Sequence, residues 1–466
     1  MSSEPGRRTT DLVVGLGAAN ATLVVVITDL VGRAVSRSMF GSGPTAALVL
    51  LLLSGCFLVI SMVVSTSASV NTFAIAAAGQ VRAIALRRLL GSTARAERRR
   101  LVRTGIRRAV PTIAVGAVGG YLLSTLAALV LTADDQDGLD LTAGDLLPTP
   151  WLVLPLLAQL GCVWWAAHHG SRGALDVRPA AALRAAASAE TGDGAPIRPL
   201  RDRPQSMGLL WSGAALLALG AIGGAFTQLA VLPALAGGVL SIWGVLVSAD
   251  RLVPPVVRLT ARLLGRLDGL DLATRALLQH PVRTARASLG VALAVAVVTM
   301  FAVATATFEV ALHGYYAGSV LAGEANAVIA GVVGTVSVLT GLAALTGAVG
   351  LANAVSFSTW LRRRDIALMR VLGQSRRQAE RTITAESALL SLSATLLGLA
   401  LGSVYGWVGT QSLLAHTVGR PVLAPAWPLL LVPAALLAAL VLTHVASRRP
   451  ARRALDGPPI RAYLDA

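Results

Sequence analysis

Arginine carries most of the charge-based chemistry that this sequence offers. All forty basic residues are arginine, against twenty-three acidic residues. Seven of these arginines fall within residues 362–381, RRRDIALMRVLGQSRRQAER, between two apolar segments. Guanidinium groups bind phosphate and carboxylate groups, and arginines beside apolar spans mark the cytoplasmic side of membrane proteins. Because the chain has no lysine, the GxxxxGK[ST] loop of P-loop ATPases is excluded.

The composition predicts an all-α integral membrane protein. The chain is 55% hydrophobic and 14% charged, whereas soluble domains carry about 25% charged residues. Several apolar runs approach the length needed to cross a bilayer. The net charge of +17 comes from arginines that flank these runs, so we predict no nucleic-acid partner. Cys56 and Cys162 lie inside apolar runs without metal or disulfide spacing, and we predict no metal site.

Ten spans are predicted, and arginine bias orients them. If both termini are cytoplasmic, the outer loops contain only Arg33, Arg37 and Arg420, and the outer loop 133–150 has five aspartates and no arginine. The first span has no A-x-A site after it, so we interpret it as a retained helix. The predicted spans are 11–32, 45–73, 109–132, 151–168, 207–226, 228–248, 287–312, 327–357, 384–412 and 427–446.

An ungapped internal similarity connects residue i with residue i+282. It aligns RAIALRRLLGSTARAERRR (82–100) with RDIALMRVLGQSRRQAERT (364–382). It also pairs Gly116 and Gly120 with Gly398 and Gly402, and Asn71 with Asn353. We interpret this as a duplication. The predicted organisation is a first four-helix module (1–168), a cytoplasmic linker (169–206), a central helix pair (207–248), an amphipathic segment (249–286) and a second four-helix module with a basic tail (287–466).

Each copy places an arginine-rich segment between its second and third helices. The simplest interpretation is that these arginines determine how the spans are oriented in the membrane or bind acidic lipid headgroups. That interpretation does not explain why isoleucine, leucine and glycine recur in register with them. Apolar positions fixed on a surface helix favour docking to a protein partner. The segment 249–286 also has apolar residues at helical spacing, which suits a helix on the inner membrane surface or an ordinary loop helix.

Polar residues inside the spans suggest further roles. For Asn71 and Asn353 we favour helix packing over substrate contact, because an amide in a bilayer bonds to another helix. Gly116-x-x-x-Gly120 and Gly398-x-x-x-Gly402 have the spacing that lets helices approach closely, although glycine-rich composition also produces such pairs. Asp29 and Glu309, near the outer ends of the first and seventh spans, either contact a cationic or amphiphilic substrate or reach interfacial water.

One segment carries a family resemblance. LANAVSFSTWLRRRDIALMRVLGQSRRQAERTITAESALLSLSATLLGLALG (351–402) resembles the FtsX/MacB-type ABC transporter permease domain. LLQHPVRTARASLGVALAVAV (277–297) resembles its entry helix, and SRRPARRALDGPPIRAYL (447–464) its usual ending. The first copy is degenerate, with Ala83 where Asp365 stands in the second. The ten-span arrangement resembles permeases of bacterial peptide-antibiotic resistance transporters, but here no predicted loop can hold their large extracellular domain.

The resemblance implies a permease whose cytoplasmic segments couple to a separate ATPase dimer. This chain would then be no enzyme and hold no cofactor, with ATP and Mg²⁺ bound on the partner. Its other expected partners are membrane lipids and an amphiphilic antibiotic, peptide or lipid-like substrate, exported or extracted from the bacterial plasma membrane. By this resemblance the coupling residues are Arg82, Ile84, Leu86, Arg88 and Gly91 in the first copy, and Arg364, Asp365, Ile366, Leu368, Arg370 and Gly373 in the second.

Two other functions remain open. The first is an ATPase-driven signalling device like the division protein FtsX, which the short outer loops disfavour because they offer little surface to grip a partner. The second is a secondary transporter, which would normally place charged residues or broken helices at mid-membrane. The sequence shows no such site there.

Overall fold

A computed structural model of the chain describes residues 5–37, 81–132, 152–170, 205–265, 270–279, 281–318 and 375–428, with scattered residues in 55–73, 333–341 and 430–441. Every regular element among these residues is helical, which agrees with the predicted all-α class. Four helices are long and apolar enough to cross a membrane, judged by length and composition: Ala94–Leu126, Gln228–Val247, Ser288–Tyr316 and Thr384–Val418. The described chain thus has the helices of a multi-pass membrane protein, whereas the total of ten spans stays a prediction.

The helices are numbered in chain order over the described residues. They are α1 (Pro5–Arg37), α2 (Val81–Leu89), α3 (Ala94–Thr132), α4 (Val153–Gly170), α5 (Gln205–Gly223), α6 (Val231–Val247), α7 (Ala249–Leu264), α8 (Leu270–Gln279), α9 (Pro281–Tyr316) and α10 (Arg376–Val418), with one 3₁₀ turn (Gln228–Ala230) before α6.

Helices α1 and α3 form the first close pair, and they run parallel. Gly116 lies against the carbonyl of Gly15, and Gly120 lies against the carbonyl of Ala19. A Cβ atom at either glycine would come closer than 3.0 Å to backbone atoms of α1. The absence of a side chain is therefore what allows the two backbones to approach. Helix α4 covers the pair through an apolar cluster that includes Val163.

Helices α9 and α10 form a second parallel pair of the same kind. Gly398 lies against the carbonyl of Ala292, and Gly402 lies against the carbonyl of Ala296. One helical turn further along, Gly406 makes the same close approach to α9. The Thr410 hydroxyl donates to the Ala304 carbonyl at 3.1 Å, which adds a hydrogen bond between the helices.

Helices α5 and α6 form an antiparallel hairpin between the two pairs in sequence. Small residues line their interface, because Gly213 and Gly220 on α5 face Ser241 and Ala234 on α6. The turn of the hairpin packs on α10, where Gly224 lies against the backbone of residues 411–412. On its other side α6 reaches α4 through an edge-to-face contact between Trp243 and Trp165, with ring centroids 6.4 Å apart.

The amphipathic segment forms α7 and α8, and its apolar face is turned toward the protein. Val253 and Val257 of α7 are buried in one cluster with Leu277 of α8, and this cluster also contains Leu389 of α10. The opposite face of α7 is exposed and carries arginines and leucines: Arg251, Arg258, Leu259, Arg262 and Leu263. The segment therefore bridges the starts of α9 and α10. We call this end of the bundle, with α2 and the start of α3, the arginine-rich end.

The two helix pairs meet through α1 and α9. Leu23, Val24 and Ile27 of α1 share one buried cluster with Val297 and Phe301 of α9. This contact lies near mid-length of both helices, so the first helix of each pair provides the contact between the pairs. The sites described below lie at the arginine-rich end of this frame and between α6, α9 and α10.

Candidate functional site

Residues 81–97 form a sharp turn that we call the first elbow. Helix α2 ends in a Schellman motif, because the amide of Ser92 donates to the Arg87 carbonyl at 3.0 Å and the amide of Gly91 to the Arg88 carbonyl at 3.2 Å. Gly91 has φ of +101°, in the left-handed region that glycine adopts without strain. The predicted coupling residue Gly91 is thus the pivot of the turn.

Helix α3 begins directly after this turn. Thr93 caps it, since its hydroxyl accepts a hydrogen bond from the Ala96 amide at 3.2 Å. The carboxylate of Glu97 accepts from Nε of Arg87 at 3.1 and 3.2 Å through its two oxygens. Glu97 is only 3% exposed. A buried carboxylate that loses its partner is costly, so this ion pair fixes the angle between α2 and α3.

The two faces of α2 have different surroundings. Ile84 and Ala85 are buried, and Ile84 is 1% exposed, so this face of α2 packs against the rest of the protein. Leu86, Leu89 and Leu90 are exposed, with 85% of Leu90 accessible. These three leucines stand at i, i+3 and i+4 and form one apolar stripe. Exposed leucines at this spacing are the kind of surface that a partner protein covers.

Arginines follow this stripe along the chain. Arg88 is half-buried in the first elbow, and the first turns of α3 carry a series of exposed arginines: Arg95, Arg99, Arg100, Arg103, Arg107 and Arg108. Arg82 lies in α2, and the structure describes its backbone only. The elbow therefore combines an apolar stripe with a positively charged rim, which suits a partner with an apolar patch and acidic neighbours.

The corresponding segment of the second copy, residues 364–373, lies outside the described residues, and we refer to it as the predicted second elbow. The predictions for Arg364, Asp365, Ile366, Leu368, Arg370 and Gly373 therefore stay predictions, as do those for Asn71 and Asn353. The structure resumes at Ser375, which caps α10 by accepting from the Gln378 amide at 3.3 Å. The Gln378 side chain accepts in return from the Ser375 amide at 3.0 Å. Ser375 stands at the position that the 282-residue offset pairs with Thr93.

The predicted packing glycines and the two predicted substrate-contact carboxylates have different surroundings. Gly116, Gly120, Gly398 and Gly402 lie at the close helix contacts described above. Asp29 is half-buried on α1, whereas Glu309 is exposed on α9, where its carbonyl accepts from the His313 ring. Neither carboxylate lines the cavity between α6, α9 and α10. Within the described residues no group of three metal-ligating side chains occurs.

Several residues at and near the candidate site were not predicted from the sequence. Glu97 and the exposed Leu89 and Leu90 belong to the first elbow, and the i, i+3, i+4 spacing from Leu86 was the signal that identifies the two leucines. Gln159 was visible as an amide inside an apolar span. Its Nε2 atom donates to Ser65 Oγ at 2.8 Å, so it joins α4 to the second predicted span.

Comparison with known proteins finds a family match in the second half of the chain. The FtsX-like permease C-terminal family matches residues 337–454. No curated protein matches the chain. The matched segment contains 364–373, α10 and the loop after it, and it supports a permease of the FtsX/MacB type. Members of that family are membrane components of transport systems that work with an ABC ATPase.

Proposed function

We propose that this chain is the transmembrane permease subunit of an ABC transporter. It docks a separate ATPase dimer through two cytoplasmic elbows, residues 81–97 and 364–373, and exports or extracts an amphiphilic compound from the membrane. Both termini are cytoplasmic in this proposal, ATP and Mg²⁺ bind to the partner, and the cell membrane is bacterial. The arginine bias and the match to the FtsX-like permease C-terminal family support this placement.

The observation that carries the proposal is the construction of the first elbow. Its turn is fixed by a Schellman motif and by the ion pair between Arg87 and Glu97. Its leucine stripe points away from the protein, and Leu90 is 85% exposed. A segment that transmits a partner's movement needs a rigid connection to a transmembrane helix and an exposed surface that binds the partner. The elbow has both, and α3 continues from it directly through a candidate span.

The proposal that residues 364–373 form a second elbow depends on the internal repeat. Capping by Thr93 and Ser375 occurs at positions 282 residues apart, and Gly116 and Gly120 make the same kind of contact as Gly398 and Gly402. These correspondences support a duplicated module. Two elbows on one chain suit the two subunits of an ATPase dimer, so one permease chain suffices for one dimer.

The test replaces the most exposed leucine of the first elbow. The tagged chain is co-expressed with a candidate ABC ATPase from the same genome, and the complex is purified with and without Leu90→Glu. A carboxylate in the leucine stripe adds an unpaired charge to a desolvated contact, so we expect association to fall by tenfold or more, about 1.4 kcal/mol. ATP-dependent transport should fall with it.

The matched control is Val422→Glu, because Val422 is 67% exposed in the loop after α10, at the opposite end of the bundle and outside the predicted spans. This change should leave ATPase association intact. If Leu90→Glu binds the ATPase as the unchanged chain does, the elbow is not a coupling surface. A genome without a neighbouring ABC ATPase would favour a secondary transporter instead.

A further inference from the structure

A cavity of about 190 Å³ lies between α6, α9 and α10, at mid-depth of three candidate spans. Its wall is formed mainly by aliphatic and aromatic side chains. Representative lining residues are Val239 and Ile242 on α6, Met300 and Phe301 on α9, and Leu401 and Leu413 on α10.

The few hydroxyl groups at the wall include two that already have partners. Thr410 donates to the carbonyl of Ala304 or of Gly406 within its own helix pair. The Tyr405 hydroxyl is hydrogen-bonded to Ser241. A cavity with such a wall is a poor site for water, because a buried water needs two to four polar partners. Such a wall favours an apolar occupant over water.

Packed clusters close the cavity at both ends along the helix axes. At the end away from the arginines, Leu413 and Leu414 are buried together with Leu423 from the loop after α10. Toward the arginine-rich end, Val291, Ala292 and Ala394 form another buried cluster. Neither end offers an aqueous entrance between the described helices, so an occupant enters from the hydrocarbon of the bilayer.

We propose that this cavity binds one acyl chain of a bilayer phospholipid. An apolar cavity of about 150 Å³ accommodates a guest of benzene size, so the present volume accepts roughly seven carbons of a single chain. The phospholipid headgroup and the second chain would remain in the bilayer. This site goes beyond the transport function proposed above and does not depend on coupling to an ATPase.

Two glycines make the proposal testable, because both line the cavity and a Cβ atom at either would meet no atom within 4 Å. They are Gly238 on α6 and Gly409 on α10. We expect leucine at either position to extend into the cavity and occupy part of it, because the Cβ atom has room there. The matched control is Gly119→Leu on α3, where a Cβ atom also meets open space but does not line this cavity.

The full chain is reconstituted in phosphatidylglycerol–phosphatidylcholine vesicles that contain a trace of phosphatidylcholine with a photoreactive diazirine in mid-chain. After irradiation, adducts are mapped by peptide mass spectrometry. We expect adducts on lining residues of 234–242, 296–305 and 401–410. Labelling there should fall about fivefold in Gly238→Leu and in Gly409→Leu, and stay unchanged in Gly119→Leu.

Adducts confined to the exposed face of α3 would overturn the proposal, and so would equal labelling of the cavity in all three variants. A parallel arm uses a photoreactive single-chain alkylammonium compound. If that compound labels the cavity and the phospholipid does not, the occupant is a transported amphiphile and the phospholipid assignment is wrong. Unfolding temperatures and ATPase association, measured on the same samples, separate misfolding and loss of coupling from loss of the site.

Discussion

The pairs α1–α3 and α9–α10 share one packing contact and differ in what surrounds it. In each pair two glycines, four residues apart, lie against two carbonyls that are also four residues apart. The glycines of the two pairs are separated by 282 residues, whereas the carbonyl-bearing residues, 15 and 19 against 292 and 296, are separated by 277. If the pairs arose by duplication, the connection between first and third helices therefore differs by five residues.

The surroundings of the two pairs are unequal. In the most apolar window, 28% of the span in α3 is buried inside the protein, compared with 56% of the span in α10. Helix α3 leaves Val115, Val118 and Leu122 exposed, and lipid would contact them. Helix α10 is covered by α5, α7 and α8 as well as by α9. The same glycine contact thus lies at the edge of one group and near the centre of the other.

The ends of the third helices differ as well. Gln411 of α10 is buried, donates to the Pro421 carbonyl at 2.7 Å and accepts from the Leu423 amide at 2.8 Å. It thereby ties the loop 419–428 to the helix. The residue 282 positions earlier is Leu129, which is 55% exposed and has no amide to offer. The second pair therefore has a polar clamp, formed by the Gln411 side chain, at the position where the first pair has the aliphatic side chain of Leu129.

The largest expected effect comes from a methyl group in the central pair. A Cβ atom at Gly402 would come closer than 3.0 Å to the backbone of α9, and the surrounding helices leave α10 little room to move. We expect Gly402→Ala to destabilise the protein by about 2–3 kcal/mol, as overpacking does. The measurement is the apparent unfolding temperature in detergent.

The control for this change is Gly409→Ala on the same helix, since a Cβ atom there meets nothing within 4 Å. It should be neutral or slightly stabilising, because alanine is the better helix former. Equal losses in the two variants would contradict this prediction, because the close contact at Gly402 would then not account for the effect.

A smaller effect is expected from the clamp. Gln411→Leu leaves the Leu423 amide and the Pro421 carbonyl without their partner, which costs about 2 kcal/mol, mostly in the loop. Hydrogen–deuterium exchange of residues 419–428 should accelerate, while α3 is unaffected. Gln228→Leu is the control, because its bond to Thr417 at 3.0 Å is exposed to solvent. Unchanged exchange at the Leu423 amide would show that Gln411 does not hold the loop in place.

Much of this frame could be predicted from the sequence, for physical reasons that apply to membranes. The bilayer demands long apolar helices, so the spans containing α3, α6, α9 and α10 follow from hydropathy. The glycine pairs followed from spacing and from the repeat. The cap at Ser375 is also a local feature, because a serine three residues before glutamine is a helix-start pattern.

What the sequence did not predict depends on which residues meet across the fold. The partner of Arg87 is ten residues away across a turn, and hydropathy carries no sign of that ion pair. The apolar face of α7 is equally suited to lipid and to protein, and only the position of Leu389 and Leu277 shows that it packs inward. The cavity is made by three helices that are far apart in sequence, so no local pattern indicates it.

The smallest expected effect tests the comparison most directly. Gly120→Ala introduces the same methyl group against the same kind of carbonyl as Gly402→Ala, that of Ala19 on α1. Because the outer face of α3 is exposed, the helix can shift outward by a fraction of an ångström and relieve the contact. We expect a loss of about 1 kcal/mol, at the low end for overpacking. Gly119→Ala, in open space one residue earlier, is the control. A loss as large as that of Gly402→Ala would mean that both pairs are equally confined, and that burial by neighbouring helices does not set the tolerance of these contacts.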